Sequence, residues 1–211
     1  MHSQNLEEKY ILDYFGSFVG TFLDLGCNDC KTFSNTRALA ERGWSGILVD
    51  PSPKAIEKCK QLYDGFKGQI HNGHKRFKIY PFAISNYNGK GILQESGSLC
   101  TTEDVGLVST FHASEMERFR RIVKYQPVEV KTFKWKTFLN RLSTKDFPMI
   151  SMDIESDEMN VLPDMDLSKT NLICIEHNGS SEKKKAYLEC TSKYGIDKII
   201  YESGENLIIV R

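Results

Sequence analysis

The sequence predicts an α/β protein in which a mostly parallel sheet of seven strands lies between two layers of helices, with an antiparallel hairpin at its C-terminal end. Short apolar runs alternate with helical patterns along most of the 211 residues, as in successive βαβ units. The run at 171–175 is almost wholly apolar, which is typical of a strand buried on both faces of a parallel sheet. The last two runs, at 197–201 and 206–210, flank a short polar turn and predict the hairpin. A chain of this length is expected to form one domain, 1–211.

The charge balance argues against a nucleic-acid or membrane partner. Lysine and arginine total 28 residues and aspartate and glutamate total 28, so the formal net charge is zero. A protein without excess positive charge has no general electrostatic attraction to nucleic acid or to an anionic membrane. No apolar run has the length of a signal peptide or a membrane-spanning helix. The oligomeric state stays open.

The six cysteines do not predict a disulfide framework. Four of them fall at predicted core or helix positions, where cysteine behaves as a small apolar residue. Cys27 and Cys30 form a CxxC pair, a spacing compatible with a redox pair or with half of a zinc site. No second CxxC or histidine pair follows at zinc spacing, so we expect both residues simply to line a turn. A reducing, cytoplasmic location is the expectation.

Periodicity and turn signals place the individual elements. Residues 1–18 carry apolar side chains on one face and predict an N-terminal helix. Asn88-Gly89 is a strong turn signal between apolar runs. The segment at 94–112 is irregular and rich in Ser, Thr and Gly, which predicts a substrate-side loop. The other predicted strands are 21–25, 46–50, 77–82, 128–133, 148–153 and 171–177, and the other predicted helices are 32–42, 53–62, 114–123, 136–141 and 181–194.

A tight turn after the first strand indicates a nucleoside-cofactor site. Asp24-Leu25-Gly26 ends that strand, and Asp50 closes the next strand roughly 20 residues further on, where a ribose diol is bound in such folds. The turn contains a single glycine and no GxGxxG fingerprint, so a dinucleotide with its pyrophosphate is disfavoured. S-Adenosylmethionine, which has no phosphates, fits the turn better. A plain βαβ unit that binds nothing is the alternative.

Acidic residues end several central strands. Asp24, Asp50 and Asp153 end three of them, and Glu176-His177 ends a fourth. In a parallel sheet these ends share one edge, so the side chains are expected to converge on one crevice. Because carboxylates are seldom fully buried, this convergence indicates a functional site.

Several short motifs together resemble the FkbM-type S-adenosylmethionine-dependent methyltransferases, from about Phe18 to Arg211. The resemblance implies a class I methyltransferase with a Rossmann-like three-layer sandwich and S-adenosylmethionine as cofactor. The matching segments are 22–29, 49–53, 83–85, 88–89, 108–110, 151–158, 161–162 and 175–178. The cofactor-binding residues that it implies are Asp24, Gly26, Asn28, Asp50, Pro51, Ala83, Ile84, Ser109, Thr110 and Asp153.

Three positions depart from the family pattern. Cys30 and Ser156 stand where the family usually has glycine, and Asp50 stands where it commonly has glutamate. We expect Cys30 to alter packing at the methionine end of the cofactor, and Ser156 to crowd the turn beside the acids. The change at position 50 preserves a carboxylate for the ribose.

The resemblance implies O-methylation, and we expect a sugar hydroxyl of a small molecule or glycan as the acceptor. A hydroxyl acceptor requires a base, for which Asp153, Glu155 and His177 are the candidates. His177 titrates closest to neutral pH, although a purely structural histidine is equally compatible with its position. Asp153, Glu155 and Glu176 are candidate ligands for a divalent cation such as Mg²⁺.

Other functions remain open at this stage. Trp135, Tyr125, Phe111 and His112 are candidate stacking faces for a sugar, although an ordinary core position is the favoured explanation for each of them. An RNA or nucleotide methyltransferase and a non-catalytic Rossmann-like binding module are the alternatives. A dinucleotide-dependent oxidoreductase is disfavoured, because neither GxGxxG nor a Tyr-Lys pair for hydride transfer is present.

Overall fold

The computed structural model describes residues 1–66, 70–71, 74–97 and 106–211. The helices are α1 (Glu7–Phe15), α2 (Arg37–Glu41), α3 (Pro53–Asp64), α4 (Ala113–Phe119), α5 (Trp135–Leu139), α6 (Glu158–Val161) and α7 (Ser181–Ser192), with a 3₁₀ turn at Leu162–Asp164. The strands are β1 (Thr21–Leu25), β2 (Ser45–Asp50), β3 (Ile70–His71), β4 (His74–Lys75), β5 (Phe77–Pro81), β6 (Ala83–Ser85), β7 (Gly89–Ser96), β8 (Tyr125–Lys134), β9 (Met149–Met152), β10 (Leu172–Glu176), β11 (Lys198–Glu202) and β12 (Asn206–Val210).

Seven strands form the central sheet, in the order β11-β12-β10-β9-β1-β2-β5. The five strands from β10 to β5 pair in parallel, and β12 pairs antiparallel with both β10 and β11. The predicted fold class, a mostly parallel seven-stranded sheet with a C-terminal antiparallel hairpin, is therefore confirmed. The strand that runs antiparallel to its neighbours, β12, lies inside the sheet between β10 and β11, and β11 forms the edge.

A core cluster covers each face of this sheet. Alternate residues of β1 point to opposite faces, as the pleat of a strand requires. Leu23 and Leu25 belong to one cluster with Phe138, whereas Phe22 belongs to the other with Trp44. All five side chains are at most 1% exposed. The sheet is consequently the middle layer of a three-layer sandwich, and its C-terminal edge is held from both sides.

A second, three-stranded sheet was not predicted. Its order is β6-β8-β7, so β8 lies between the two strands that flank Asn88-Gly89. Thr132 of β8 pairs with Ala83 on one side and with Gly89 on the other. The segment with the Asn88-Gly89 turn signal connects β6 to β7, and these two strands do not pair with each other because β8 lies between them.

Two predicted helices are shorter in the structure because polar side chains or glycine compete for the backbone. The carboxylate of Asp29 accepts hydrogen bonds from the Lys31 and Thr32 N–H groups at 2.9 and 2.7 Å, which replaces the first turns of the predicted helix at 32–42 by a loop. α1 ends at Phe15, before Gly16 with φ of 55°. The loop before α2 lies at the C-terminal edge of the sheet, whereas the residues after α1 lead into the N-terminal end of β1.

The structure describes only part of the predicted substrate-side loop and of the polar segment at 65–76. The segment at 94–112 begins as part of β7, and Thr110 pairs with Gln94 across an isolated bridge. Its middle, 98–105, lies outside the described residues, as do 67–69 and 72–73 of the predicted loop at 65–76. In the described part of the chain, none of the helices combines the length and apolar character needed to cross a bilayer.

Candidate active site

A cavity of about 310 Å³ opens at the C-terminal edge of the central sheet. It lies where β1, β2, β9 and β10 end, the usual ligand position in an open α/β sheet. Of the predicted cofactor-binding residues, those that line it are Asp24, Gly26, Asn28, Asp50, Pro51, Ala83, Ile84, Ser109 and Asp153. These predicted residues thus lie around one cavity, and their binding of a cofactor stays a prediction.

The strand register explains why these residues meet. Leu25 of β1 pairs with Val49 of β2 and with Met152 of β9, so the next residue of each strand lies at the same height. Gly26, Asp50 and Asp153 therefore form one row along the cavity. A parallel ladder aligns strand ends that are distant in sequence, and here it aligns one glycine and two carboxylates.

Gly26 is required by its surroundings. Its φ is 82°, and a Cβ atom built on it would lie 1.6 Å from the carbonyl oxygen of Asp153. The Asp153 N–H donates to the Leu25 carbonyl at 2.9 Å, which fixes the two turns against each other. Only a residue without a side chain leaves room for this contact.

Asn28 and Asp50 form the polar floor beside this glycine. The Asn28 N–H donates to Oδ2 of Asp50 at 2.9 Å, and the Ser52 N–H donates to Oδ1 at 2.8 Å. Burial raises the pKa of Asp50 to about 6, against the opposing effect of these two backbone donors. Both polar atoms of the Asn28 side chain are buried without a partner among the described residues. A polar ligand in the cavity would satisfy them.

Three carboxylates gather at the far end of the row. One oxygen from each of Asp153, Glu155 and Glu176 lies within 4.8 Å of the others. Burial is the first cause that raises the pKa of each group, to about 7 for Asp153, and their mutual repulsion adds to it. The structure therefore brings together the three residues that were predicted as cation ligands.

Two predicted residues lie away from the cavity lining that the structure describes. Thr110 is 1% exposed, and its hydroxyl donates to the Glu155 carbonyl at 3.2 Å, so it supports the acidic loop instead. His177 is also 1% exposed, and its Nδ1 accepts the Gly179 N–H at 2.9 Å. Burial lowers the pKa of His177, which leaves a neutral imidazole packed beneath the last hairpin.

Comparison with known proteins decides the family. The methyltransferase FkbM domain matches the chain over residues 24–202. The protein belongs to the FkbM methyltransferase family. It is thus a methyltransferase of the kind that uses S-adenosylmethionine as methyl donor, as the sequence motifs implied. Among curated proteins, none matches the chain significantly.

Several solved structures resemble this FkbM protein at low identity. A Pyrococcus horikoshii protein described as a candidate RNA methyltransferase is 9% identical, with 97% of this chain and 81% of that one covered and a TM-score of 0.49. The Methanobacterium thermoautotrophicum precorrin 8w decarboxylase is 12% identical, with 97% and 88% covered and a TM-score of 0.49. Magnesium protoporphyrin IX methyltransferase from Synechocystis, solved with bound S-adenosylmethionine, is 10% identical, with 97% and 76% covered and a TM-score of 0.45. At such identities these likenesses concern the fold alone.

The two departures from the FkbM glycine pattern have a common geometry. Cys30 has φ of 61° and Ser156 has φ of 83°, so both occupy the left-handed region that glycine adopts without cost. Both positions therefore have a backbone conformation that favours glycine, although neither residue is a glycine. Ser156 is held there by hydrogen bonds, since its hydroxyl donates to Glu115 at 2.9 Å.

Cys30 also corrects the prediction about the cysteines. It forms a disulfide with Cys59 of α3, across 29 residues of sequence, whereas Cys27 keeps a free thiol in the cavity wall. The expectation that Cys30 merely lines the turn is wrong. Sequence spacing does not reveal this pair, because the contact depends on how α3 packs against the turn. Burial raises the pKa of the Cys27 thiol, which keeps it protonated.

Glu158 is the acidic residue of this region that has a structural role. Its Oε1 accepts the N–H groups of Ile154 and Ser156, each at 3.2 Å. Its Oε2 accepts from the Tyr187 hydroxyl and the Lys183 ammonium, each at 3.3 Å. The side chain is 1% exposed. Glu158 thus fixes the loop that presents Asp153 and Glu155.

Sequence reasoning missed the part of the wall supplied by the two ends of the chain. Gln4, Glu205 and Asn206 line the cavity. The Asn5 amide donates to Glu205 at 3.0 Å, and the Asn206 amide donates to Glu7 at 3.2 Å, which joins the N-terminal segment to the last hairpin. A polar segment before a helix has no motif by which a cavity wall could have been recognised.

The aromatic predictions are corrected in part. Phe111 lines the cavity, and so do Phe33 and Phe119, which were not singled out. Trp135 is 3% exposed and belongs to the core cluster around Phe138, so it is not available as a stacking face. Tyr125 and His112 are not among the described residues of the lining.

Proposed function

We propose that this FkbM protein transfers the methyl group of S-adenosylmethionine to a hydroxyl of a small molecule or glycan, and that a sugar supplies the hydroxyl. One observation carries the proposal. In a chain of a methyltransferase family, the polar ends of β1, β2, β9 and β10 meet around one cavity of about 310 Å³. A cavity of this size at this edge suits a nucleoside cofactor and part of a small acceptor.

The cofactor side of the cavity is formed by the turn after β1. Gly26 lines the cavity with its backbone, and the Asn28 side chain offers an amide whose polar atoms have no partner among the described residues. Asp50 keeps free lone pairs beside those taken by Asn28 and Ser52, so it is able to accept hydrogen bonds from ribose hydroxyls. Bound S-adenosylmethionine supplies an electrophilic methyl group on sulfur, whose departure requires no proton.

The acceptor side favours a neutral molecule. Among the described residues that line the cavity, seven carry carboxyl groups, and Arg118 is the one basic residue. The seven acids are Asp24, Asp50, Asp153, Glu155, Asp157, Glu176 and Glu205. The ionised carboxylates among them attract a cationic sulfonium, and one basic side chain gives the described lining little positive charge with which to bind phosphate groups. A polyanionic RNA acceptor is therefore disfavoured, whereas a sugar has hydroxyls for the carboxylates and ring faces for Phe111.

The proton of the acceptor hydroxyl has two nearby destinations. Asp153 and Glu155 line the cavity, whereas His177, the base favoured from sequence, does not belong to the described lining. We assign the proton to a carboxylate oxygen of Asp153 or Glu155 as the hydroxyl oxygen bonds to the methyl carbon. A divalent cation at Asp153, Glu155 and Glu176 would further acidify that hydroxyl, although transfer by positioning and a base is complete without it.

Calorimetry tests the cofactor assignment. S-Adenosylmethionine and NAD are titrated separately into the purified protein, and we expect saturable binding of the first alone. Asp50→Asn retains the side-chain shape but removes the negative charge, so binding should weaken by about tenfold or more. Asp13→Asn is the control, because Asp13 is exposed on α1 and pairs with Lys9. Preferential binding of NAD would contradict the proposal.

Transfer of a labelled methyl group tests the acceptor. The protein and labelled S-adenosylmethionine are incubated with neutral sugars and glycans, with amines and with RNA oligonucleotides. We expect label in the sugar fraction, in a bond that resists mild base as an ether does. Label in RNA or in an amine would overturn the sugar assignment while leaving methyl transfer intact.

A further inference from the structure

Asp153, Glu155 and Glu176 form an acidic cluster at one end of the cavity. Asp153 follows β9, Glu176 ends β10, and the register of these two strands, in which Met152 pairs with Ile175, brings the first and last of them side by side. Glu155 joins them because its backbone has φ of 53°, which turns the chain back toward the strand ends. The three ligand oxygens lie within 4.8 Å of one another, as oxygens around one small cation do.

The cluster contains buried oxygens that no protein donor satisfies. Glu176 is 7% exposed, and its Oε2 has no hydrogen-bond partner among the described residues. Oδ1 of Asp153 is buried and equally without a partner. An unpartnered buried carboxylate costs several kcal/mol, roughly, unless a positive charge compensates it. Two such oxygens in a cluster of three neighbouring carboxylates indicate a ligand there.

The nearby basic residues are already paired elsewhere. Lys183 lies 3.3 Å from Oε2 of Glu158, and Arg118 lies 3.4 Å from Oε2 of Glu115. Neither forms a salt bridge with the three carboxylates in the part of the chain that the structure describes. Glu158 differs from the three cluster residues because both of its carboxylate oxygens accept hydrogen bonds from protein donors. The cluster thus has no salt-bridge partner among the described residues, so a proton or a bound cation has to neutralise it.

We propose that Asp153, Glu155 and Glu176 bind one divalent cation such as Mg²⁺, and that this cation holds the acceptor through two adjacent hydroxyls. Mg²⁺ takes about six oxygen ligands and usually keeps several for water or substrate. If the three carboxylates each supply one ligand, about half of the coordination positions of the cation stay open toward the cavity. A vicinal diol occupies two of them and carries no charge, which matches a site that remains negative after the ion has bound.

The diol part of this inference rests on the proposed function, whereas the cation part does not. A cation bound here contacts no residue that was assigned to the ribose, since Asp50 and Asn28 lie at the other end of the row. Cation binding is therefore measurable on the protein alone, before any cofactor is added. It also provides a readout that is independent of methyl transfer.

Electron paramagnetic resonance with Mn²⁺ is the first experiment. Protein freed of metal by a chelator is titrated with Mn²⁺, and we expect one saturable site per chain from which Mg²⁺ displaces Mn²⁺. Glu176→Gln should weaken Mn²⁺ binding by about tenfold or more, since even residues that only support a ligand commonly contribute that much. Glu189→Gln, at an exposed position of α7, is the control and should bind like the unmodified protein.

Thermal unfolding distinguishes loss of Mn²⁺ binding by Glu176→Gln from a loss of folding in that variant. Mn²⁺ should raise the unfolding midpoint of the unmodified protein and leave that of Glu176→Gln unchanged, because only a native-state ligand stabilises. Absence of a saturable site at millimolar Mn²⁺, or equal binding by both proteins, would overturn the cation site. Binding of S-adenosylmethionine in the presence of chelator would then show that the proposed function stands without it.

The acceptor geometry is tested with matched sugars. A sugar with adjacent hydroxyls is compared with the deoxy analogue that lacks one of them, with and without Mg²⁺. We expect Mg²⁺ to increase methylation of the diol by about tenfold or more and to leave the deoxy analogue at its basal rate. Equal stimulation of both would refute chelation by a diol.

Discussion

The hydroxyl of Thr36 donates a 2.6 Å hydrogen bond to Oδ2 of Asp24, inside the sheet edge rather than at the surface. Asp24 is 4% exposed and Thr36 is fully buried. This bond ties the start of α2 to the end of β1 and compensates only partly for the burial of a carboxylate. Burial, opposed by the Thr36 hydrogen bond, raises the pKa of Asp24 from 3.8 to about 7.

Asp24 should therefore make stability depend on pH. A pKa raised in the folded state means that folding favours the protonated acid, so the free energy of unfolding falls as pH rises from about 4 to about 7. The full shift corresponds to a loss on the order of 4 kcal/mol. Asp24→Asn cannot ionise, so urea unfolding at pH 5 and pH 8 should show a smaller difference than in the unmodified protein. The same pH difference in both proteins would contradict the burial argument, and the exposed Asp13→Asn serves as control.

Gly26→Ala should prevent normal folding of the turn. The added methyl would overlap the Asp153 carbonyl oxygen, which belongs to fixed backbone, so we expect a loss of about 4 kcal/mol or more. Gly195→Ala separates strain from overlap, because Gly195 has φ of 71° but nothing within 4 Å of its Cβ position. That variant should lose only about 1–2 kcal/mol in denaturant unfolding. Similar losses in the two variants would show that contact with Asp153 is unimportant.

Glu158→Ala should destabilise the acidic loop. It leaves the Ile154 and Ser156 N–H groups and the buried Tyr187 hydroxyl with one acceptor fewer, which costs about 3 kcal/mol. Hydrogen exchange should accelerate at the amides of residues 153–157 and not elsewhere. A general loss of stability would instead accelerate exchange throughout the protein. Glu182→Ala, in the exposed first turn of α7, is the comparison variant. Unchanged exchange in the loop would argue against the structural role of Glu158.

The disulfide between Cys30 and Cys59 should stabilise the chain measurably. Closing a loop of 29 residues is worth about 3 kcal/mol, so reduction or Cys59→Ser should lower the unfolding free energy by that order. Peptide mapping without reductant should recover a linked pair containing both cysteines, while Cys190→Ser leaves it intact. Disulfides are typical of oxidising compartments, so the same map of protein from the cytoplasm also tests the cytoplasmic location expected from sequence. Failure to find the linked peptide in oxidised protein would refute the pairing.

The parts of the fold that local patterns determine were predictable. β1 has the predicted bounds, because its apolar run ends abruptly at Gly26. The convergence of Asp24, Asp50 and Asp153 followed from one general property of parallel sheets, namely that their carboxyl ends share an edge. The family motifs then supplied the cofactor, which no periodicity could have indicated.

The parts that depend on tertiary contacts were not predictable. The loop before α2 forms because the Asp29 carboxylate accepts hydrogen bonds from two backbone N–H groups. The periodicity of apolar residues in the same segment predicts a helix instead. His177 was favoured as a base for its chemistry, but its burial depends on the packing of the last hairpin. The pairing of Cys30 with Cys59 likewise depends on how α3 packs against the turn, and the spacing of cysteines in the sequence does not indicate this packing.

The cavity wall joins residues near both ends of the chain, and this has a consequence for how the binding site forms during folding. The Asn5 amide and the Glu205 carboxylate are separated by 200 positions, so their contact is among the longest-range in the fold. Such contacts form late, because a long segment must be ordered before its ends meet. A nascent or C-terminally shortened chain can acquire the turn at Gly26 and still lack an enclosed cavity. Ligand affinity therefore reports whether β12, which contributes Asn206 to the cavity wall, has joined the sheet.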